Sequence, residues 1–199
     1  MKETMQYNTE MINHLIRHRR TIKPAAFNKT TVSPEIIQQM LENARWAPTH
    51  ALTQPWRFVV LSGEALQKFA TLREQLYKES TPPEKFNENK FNKLSEQVLD
   101  SNYVILIGMH RQPTEKIPEW EEIAAVSCAV QNMQLTAFAY GVATFWSTGG
   151  MLNHASIKDF MALGEKDLCM GLLYVGNTDT EMHDVPRHPI EDVVQMHNK

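Results

Sequence analysis

Met11, Ile12, Leu15 and Ile16 recur on one face of a 3.6-residue period, so residues 8–20 read as an amphipathic helix. Five basic side chains, Arg17, His18, Arg19, Arg20 and Lys23, crowd its end, and Pro24 stops it. Ser33-Pro34 has the form of an N-cap followed by a first-turn proline, and Ile36, Ile37, Met40, Leu41 and Ala44 carry a second helical stripe behind it. The period then changes. Residues 57–62, "RFVVLS", are short and β-branched, which predicts a strand. Helical spacing returns over 64–79 through Leu66, Phe69, Ala70, Leu76 and Tyr77. The polar stretch 80–97 contains paired prolines and predicts a mobile excursion followed by a helix.

Three apolar runs, 102–109, 142–147 and 169–176, read as further strands, the first and last of them buried. Between Glu121 and Tyr140 lies "EEIAAVSCAVQNMQLTAFAY", with small residues on nearly every side. A helix that is apolar all round is buried, often where two backbones approach closely. Residues 151–163 predict a short helix, and the tail "DVPRHPIEDVVQMHNK" is broken by proline and then weakly helical or extended. Helices outnumber strands, and the order gives an α+β fold around a central sheet. No repeat or linker divides residues 1–199, so a single domain is expected.

Composition narrows the function classes. The chain has 199 residues, 42% hydrophobic and 22% charged, with a formal net charge of −3. A dedicated nucleic-acid binder carries a broad basic surplus, so the basic turn at Arg17 is a local feature of a mildly acidic protein. Cys128 and Cys169, the only cysteines, read as two buried small hydrophobes. The polar N-terminus shows no secretory h-region, and no apolar run is long enough to cross a bilayer, so the cytoplasm is the expected compartment. No phosphate-binding glycine loop, zinc-binding H-E-x-x-H helix, C-x-x-C pair or G-x-S-x-G elbow occurs, and no metal site is expected. Difficult chemistry, if present, belongs to an organic cofactor.

Two stretches carry candidate chemistry. Arg19-Arg20-Thr21-x-Lys23 offers forked donors, a hydroxyl and a point charge, the donor set that a phosphate monoester takes. The plain alternative is a set of cations at a helix C-terminus, favouring the dipole and solvent. In "ARWAPTHALTQPWRF", from Ala44, two X-Pro steps pin an extended loop between helix and strand. His50 and Gln54 then project from an ordered backbone and can hydrogen-bond a planar heterocycle. The plain alternative is an ordinary loop with Trp56 packing the core.

Together these stretches resemble the nitroreductase family of FMN-dependent oxidoreductases. "RRTIK" at Arg19 is similar to that family's R-R-S-x-R opening, and "APTHALTQPWRF" at Ala47 to its A-P-S-x-x-N-x-Q-P-W-x-F loop, in the subgroup with an A-P-x-H form. The small-residue helix, "FWSTGG" at Phe145 and "VPRHPIEDVV" at Val185 follow in the family's order, so the resemblance spans about Arg17 to Val194. It implies a three-layer fold with a mainly antiparallel central sheet flanked by helices, and an intertwined homodimer with non-covalent FMN at the subunit interface. Arg19, Arg20 and Thr21 would hold the FMN phosphate and ribityl chain, with Arg187 as a second phosphate anchor. Lys23 takes the second basic position, near the flavin pyrimidine, where its charge would stabilise the reduced form. Trp146, Ser147, Thr148 and Gly149 match the stretch beside the flavin ring. His50 and Gln54 fall in the loop that contacts the flavin bound mainly by the partner.

The chain also departs from the pattern: the loop asparagine falls at Leu52, the lysine of the terminal motif at Val185, and the residue before Ala47 is Trp46 where the subgroup often has arginine. The implied reaction is ping-pong, with hydride passing from NADH or NADPH to flavin N5 and on to an electron-poor small molecule such as a nitroaromatic or quinone. Residues 80–97 are expected to form a lid over the flavin. Two other readings stay open: an FMN oxidase or dehydrogenase with a specific non-nicotinamide donor, and a non-catalytic anion-binding protein. Neither nucleic acid nor membrane is an expected partner.

Overall fold

The computed structural model describes residues 7–149, 151–152 and 154–197. The first helix, α1 (Thr9–His18), is capped by the Asn8 side chain, which accepts from the Met11 N–H at 3.0 Å. It ends two residues before the sequence predicts. Arg19 to Lys23 run on in an extended path, held where the Ile22 N–H donates to the Thr144 carbonyl at 3.1 Å. Helix α2 (Pro34–Ala44) begins on its first-turn proline, and a tight loop leads from it into strand β1 (Trp56–Leu61). Helices α3 (Glu64–Ser80) and α4 (Glu88–Leu99) form an antiparallel pair, so the stretch 80–97 resolves into a short 3₁₀ turn and the first turns of α4. Strand β2 (Tyr103–Met109), helix α5 (Glu119–Ala139), strand β3 (Ala143–Ser147), helix α6 (Ala155–Phe160) and strand β4 (Leu168–Gly176) complete the order.

The four strands make one sheet in the order β1-β2-β4-β3, antiparallel throughout. The continuous apolar runs of β2 and β4 take the two central places because both of their faces are covered. Ile105 and Ile107 of β2 and Leu173 and Val175 of β4 point to one face, where α2 and α5 pack on them. Val104 and Leu106 with Leu172 and Tyr174 point to the other, where Phe69, Val98 and Ile157 bring in α3, α4 and α6. This is the expected three-layer α+β arrangement.

Three expectations need correction. Helix α6 covers only the middle of 151–163: Ala162, at φ +52°, adopts a left-handed turn that stops it, and its predicted first turn includes Asn153, outside the described residues like Gly150 of "FWSTGG". Helix α5 is not buried all round. Ala125, Ala129 and Met133 face the sheet, but Trp120, Ala124, Cys128 and Ala139 are exposed along its outer side. Cys128 is therefore not a core residue, whereas Cys169 is. The small outer side chains of α5 gave the impression of burial because smallness suits a backbone contact as well as a core. Among the described residues no helix is long and apolar enough to cross a membrane.

Candidate functional site

The extended segment after α1 lies beside the start of β3, and the C-terminal tail returns to it. Arg20 donates from Nε to the His183 carbonyl at 2.9 Å and from Nη2 to the Asp184 carboxylate at 3.3 Å. That pairing fixes the tail against Arg19 and Arg20. Arg187 is brought near enough that its charge, with that of Arg20 and with burial as the leading cause, lowers the pKa of the Arg19 guanidinium. Among the described residues Arg187 itself donates to the carbonyls of Val185 and Pro186 alone. Arg19 Nη1 is buried with no hydrogen-bond partner among the described residues. A buried donor left open beside two further guanidiniums is costly unless an anion completes it. Thr21 and Lys23 are exposed on the same segment.

Strand β3 carries the second group. Trp146 Nε1 donates to the Met170 carbonyl at 3.2 Å, which holds the indole across β4. The register skips Met170, pairing Ile107 with Gly171 and Gly108 with Cys169, so β4 bulges beside the indole. Gly171 occupies φ +140°, and a Cβ there would stand 2.4 Å from Trp146 Nε1 and 2.7 Å from the Ser147 carbonyl oxygen. Only glycine admits this approach. Ser147 is half-buried at the end of the strand, and Thr148 and Gly149 lie exposed beyond it.

The loop from α2 to β1 is coiled where the sequence predicts it extended. Ala51, Leu52 and Gln54 all have positive φ, and the Thr49 hydroxyl accepts from the Gln54 N–H at 3.2 Å, closing the turn. The two prolines order its ends, but this hydrogen bond sets its middle. His50 Nδ1 lies 2.5 Å from a carboxylate oxygen of Glu121, at the start of α5, and Gln54 is exposed. No hydrogen bond among the described residues joins His50 or Gln54 to Arg19, Arg20, Thr21, Lys23 or Arg187. Leu52 is exposed and apolar, and the Trp46 indole donates to its neighbour Glu42 at 3.2 Å.

Sequence reasoning missed several contributors. Asp184 and His183 anchor Arg20 from more than 160 residues away, a separation that leaves no local signal. Arg73, in the middle of α3, is buried and donates to the Leu94 carbonyl and the Tyr174 hydroxyl, both at 2.8 Å. Glu122 is buried on α5 and paired with Arg111 after β2. Among the described residues no group of His, Cys, Asp or Glu side chains could hold a metal ion.

The sequence model of the Nitroreductase family matches residues 16–177. YfhC of Bacillus subtilis (strain 168), provisionally named an NAD(P)H nitroreductase, is 25% identical over 193 residues, covering 96% of this chain and 97% of YfhC. The crystal structure of a nitroreductase-like family protein from Bacillus cereus superposes with a TM-score of 0.78 at 25% identity, covering 98% of this chain and all of that one. The FMN-dependent nitroreductase NfnB of Mycobacterium smegmatis, solved in complex with NADPH, shares the fold with a TM-score of 0.75 at 16% identity, over 96% of this chain and 99% of its own.

Proposed function

This chain belongs to the nitroreductase family, and from that premise we propose that it is an FMN-dependent oxidoreductase that works as a homodimer in the cytoplasm. It takes reducing equivalents from NAD(P)H and delivers them to an electron-poor small molecule such as a nitroaromatic or quinone. The observation that carries this reading is the buried Nη1 of Arg19, unpartnered among the described residues and within reach of the charges of Arg20 and Arg187. That donor set fits the phosphate of FMN: a dianion with several acceptor oxygens would complete the open donor and relieve the repulsion among three guanidiniums.

When bound, FMN supplies a two-electron relay between donor and acceptor. The chain's own residues would do the rest. Arg19, Arg20 and Arg187 would bind the phosphate, Arg20 already held in place by Asp184. The Thr21 hydroxyl would hold the ribityl chain, and Lys23 would supply positive charge that favours the reduced, anionic pyrimidine. The backbone from Trp146 to Gly149 would flank the ring, its position set by the indole–Met170 hydrogen bond and the close approach at Gly171. His50 and Gln54, which share no hydrogen bond with the arginines among the described residues, would reach the flavin of the partner subunit. No general base is required of the protein.

The visible spectrum of purified protein tests this, followed by anaerobic addition of NADPH or NADH. A two-band flavin spectrum that bleaches with a nicotinamide donor and recovers with a nitroaromatic or quinone is expected. Flavin that no nicotinamide bleaches would replace the reading with an oxidase or dehydrogenase. A colourless protein that takes up no added FMN would overturn it.

A further inference from the structure

A cavity of about 430 Å³ opens between α3, α4 and the end of β3. Its charged lining is wholly cationic: Arg73 from α3, Lys85 before α4, and Lys90 and Lys93 on α4. Ser147 and Gly149 line it from the end of β3. Among the described residues no carboxylate lines it, although the whole chain carries a net charge of −3. None of the four cations makes an ion pair among the described residues.

Two features distinguish this from a solvated basic surface. Arg73 is only 5% exposed, and its hydrogen bonds go to a carbonyl and a hydroxyl, so its full charge stands in the wall without a counter-ion among the described residues. Burying an uncompensated guanidinium is costly, and an anion in the cavity offsets that cost. One of the lysines, Lys90, is also pre-placed. Tyr77, Phe86 and Phe91 pack together between the helices. The Tyr77 hydroxyl accepts from the Asn87 N–H at 3.2 Å, the Asn87 side chain caps α4, and Lys90 Nζ sits 5.4 Å from the centre of the Tyr77 ring.

We propose that this cavity receives the adenosine 2′-phosphate of the nicotinamide donor, so that the protein prefers NADPH to NADH. The inference rests on the proposed function, because it takes Ser147 and Gly149 to border the flavin. A ligand bound there must carry an anionic group and also reach the flavin from this side. NADPH and NADH share every other group; the 2′-phosphate alone adds a charge of nearly two and three acceptor oxygens, which Lys85, Lys90, Lys93 and the open side of Arg73 can bind.

The test pairs kinetics with binding that needs no flavin. Wild-type protein is compared with Lys90→Gln and Lys93→Gln, leaving Arg73 intact because it also braces Tyr174 in the core. The ratio of kcat/KM for NADPH over NADH is expected to be about tenfold or more and to fall towards one in the double variant, with high salt acting in the same direction. By calorimetry, adenosine 2′,5′-bisphosphate should bind at least tenfold more tightly than 5′-AMP, an advantage the double variant loses. Equal use of both donors, with no preference for the bisphosphate, would overturn the inference while leaving the proposed function intact. A double variant that changes KM for 4-nitrobenzoate but not for NADPH would also overturn it, assigning the cations to an anionic acceptor. Failure to take up flavin would instead sink the proposed function, and bisphosphate binding would still decide the cavity.

Discussion

At the scale of single residues, Arg19 and Arg20 are adjacent in sequence and opposite in circumstance. Arg20 is satisfied within the chain by the His183 carbonyl and the Asp184 carboxylate. Arg19 has a buried Nη1 with no partner among the described residues and two like charges near it. A residue kept in that state works against the empty protein and for the loaded one. Arg19→Gln should therefore weaken FMN binding by roughly ten- to hundredfold, the worth of about 1.5–3 kcal/mol for a charge-assisted hydrogen bond. The melting temperature of the flavin-free protein should stay level or rise. Fluorescence titration with FMN and thermal unfolding of the apoprotein check the two halves separately. A variant that melts lower yet binds FMN as before would mean that Arg19 is a structural residue.

At the scale of elements, the pairing of β3 with β4 sets the position of the Trp146–Gly149 stretch. The bulge at Met170 offers its carbonyl to the Trp146 indole, and Gly171 leaves no room for a Cβ beside it. Gly171→Ala should cost about 2 kcal/mol or more, from overpacking and the φ of +140° together. The tryptophan signal in near-ultraviolet circular dichroism should change with it, since the indole must move. Unchanged stability and an unchanged spectrum would show that the strand pair tolerates the methyl and does not fix Trp146. The elements themselves were largely legible in the sequence. Unbroken apolar runs marked β2 and β4, and apolar stripes marked α2 and α3, because burial on two faces or one writes itself into the spacing. What was not legible depended on distant partners. Nothing near Arg19 announces that Ile22 will bond to Thr144, which ends α1 early. The lysines of α4 read as a polar excursion until α3 brings Arg73 beneath them. The arginine motif could be read because its chemistry is local; the Asp184 that orders it could not.

At the scale of the whole molecule, one chain leaves more surface uncovered than its mass requires. It exposes 13007 Å², whereas a compact monomer of 22.9 kDa exposes roughly 9,600 Å². Part of that surface is apolar. Helix α1 has an apolar stripe and buries none of its residues; Met11 is 69% and Ile16 54% exposed. The tail beyond β4 runs over the surface with Ile190, Val193 and Met196 open to solvent. Along α5, Ala124 and Cys128 form a small-residue stripe that suits the close approach of a second helix. If α5 is the seam of the proposed homodimer, a large charge on that stripe acts on association and not on the fold of one chain. Ala124→Glu places a good helix former at an exposed helical position, so a solitary chain should tolerate it. In the dimer the same carboxylate would be buried against its own copy, at a cost of several kcal/mol. Light scattering coupled to size exclusion should give a dimer mass for the wild-type protein and a monomer, or a dimer that dissociates on dilution, for the variant. Flavin should be lost in parallel, because His50 and Gln54 would no longer be supplied by the partner. A variant that stays dimeric and keeps its flavin would move the seam away from α5.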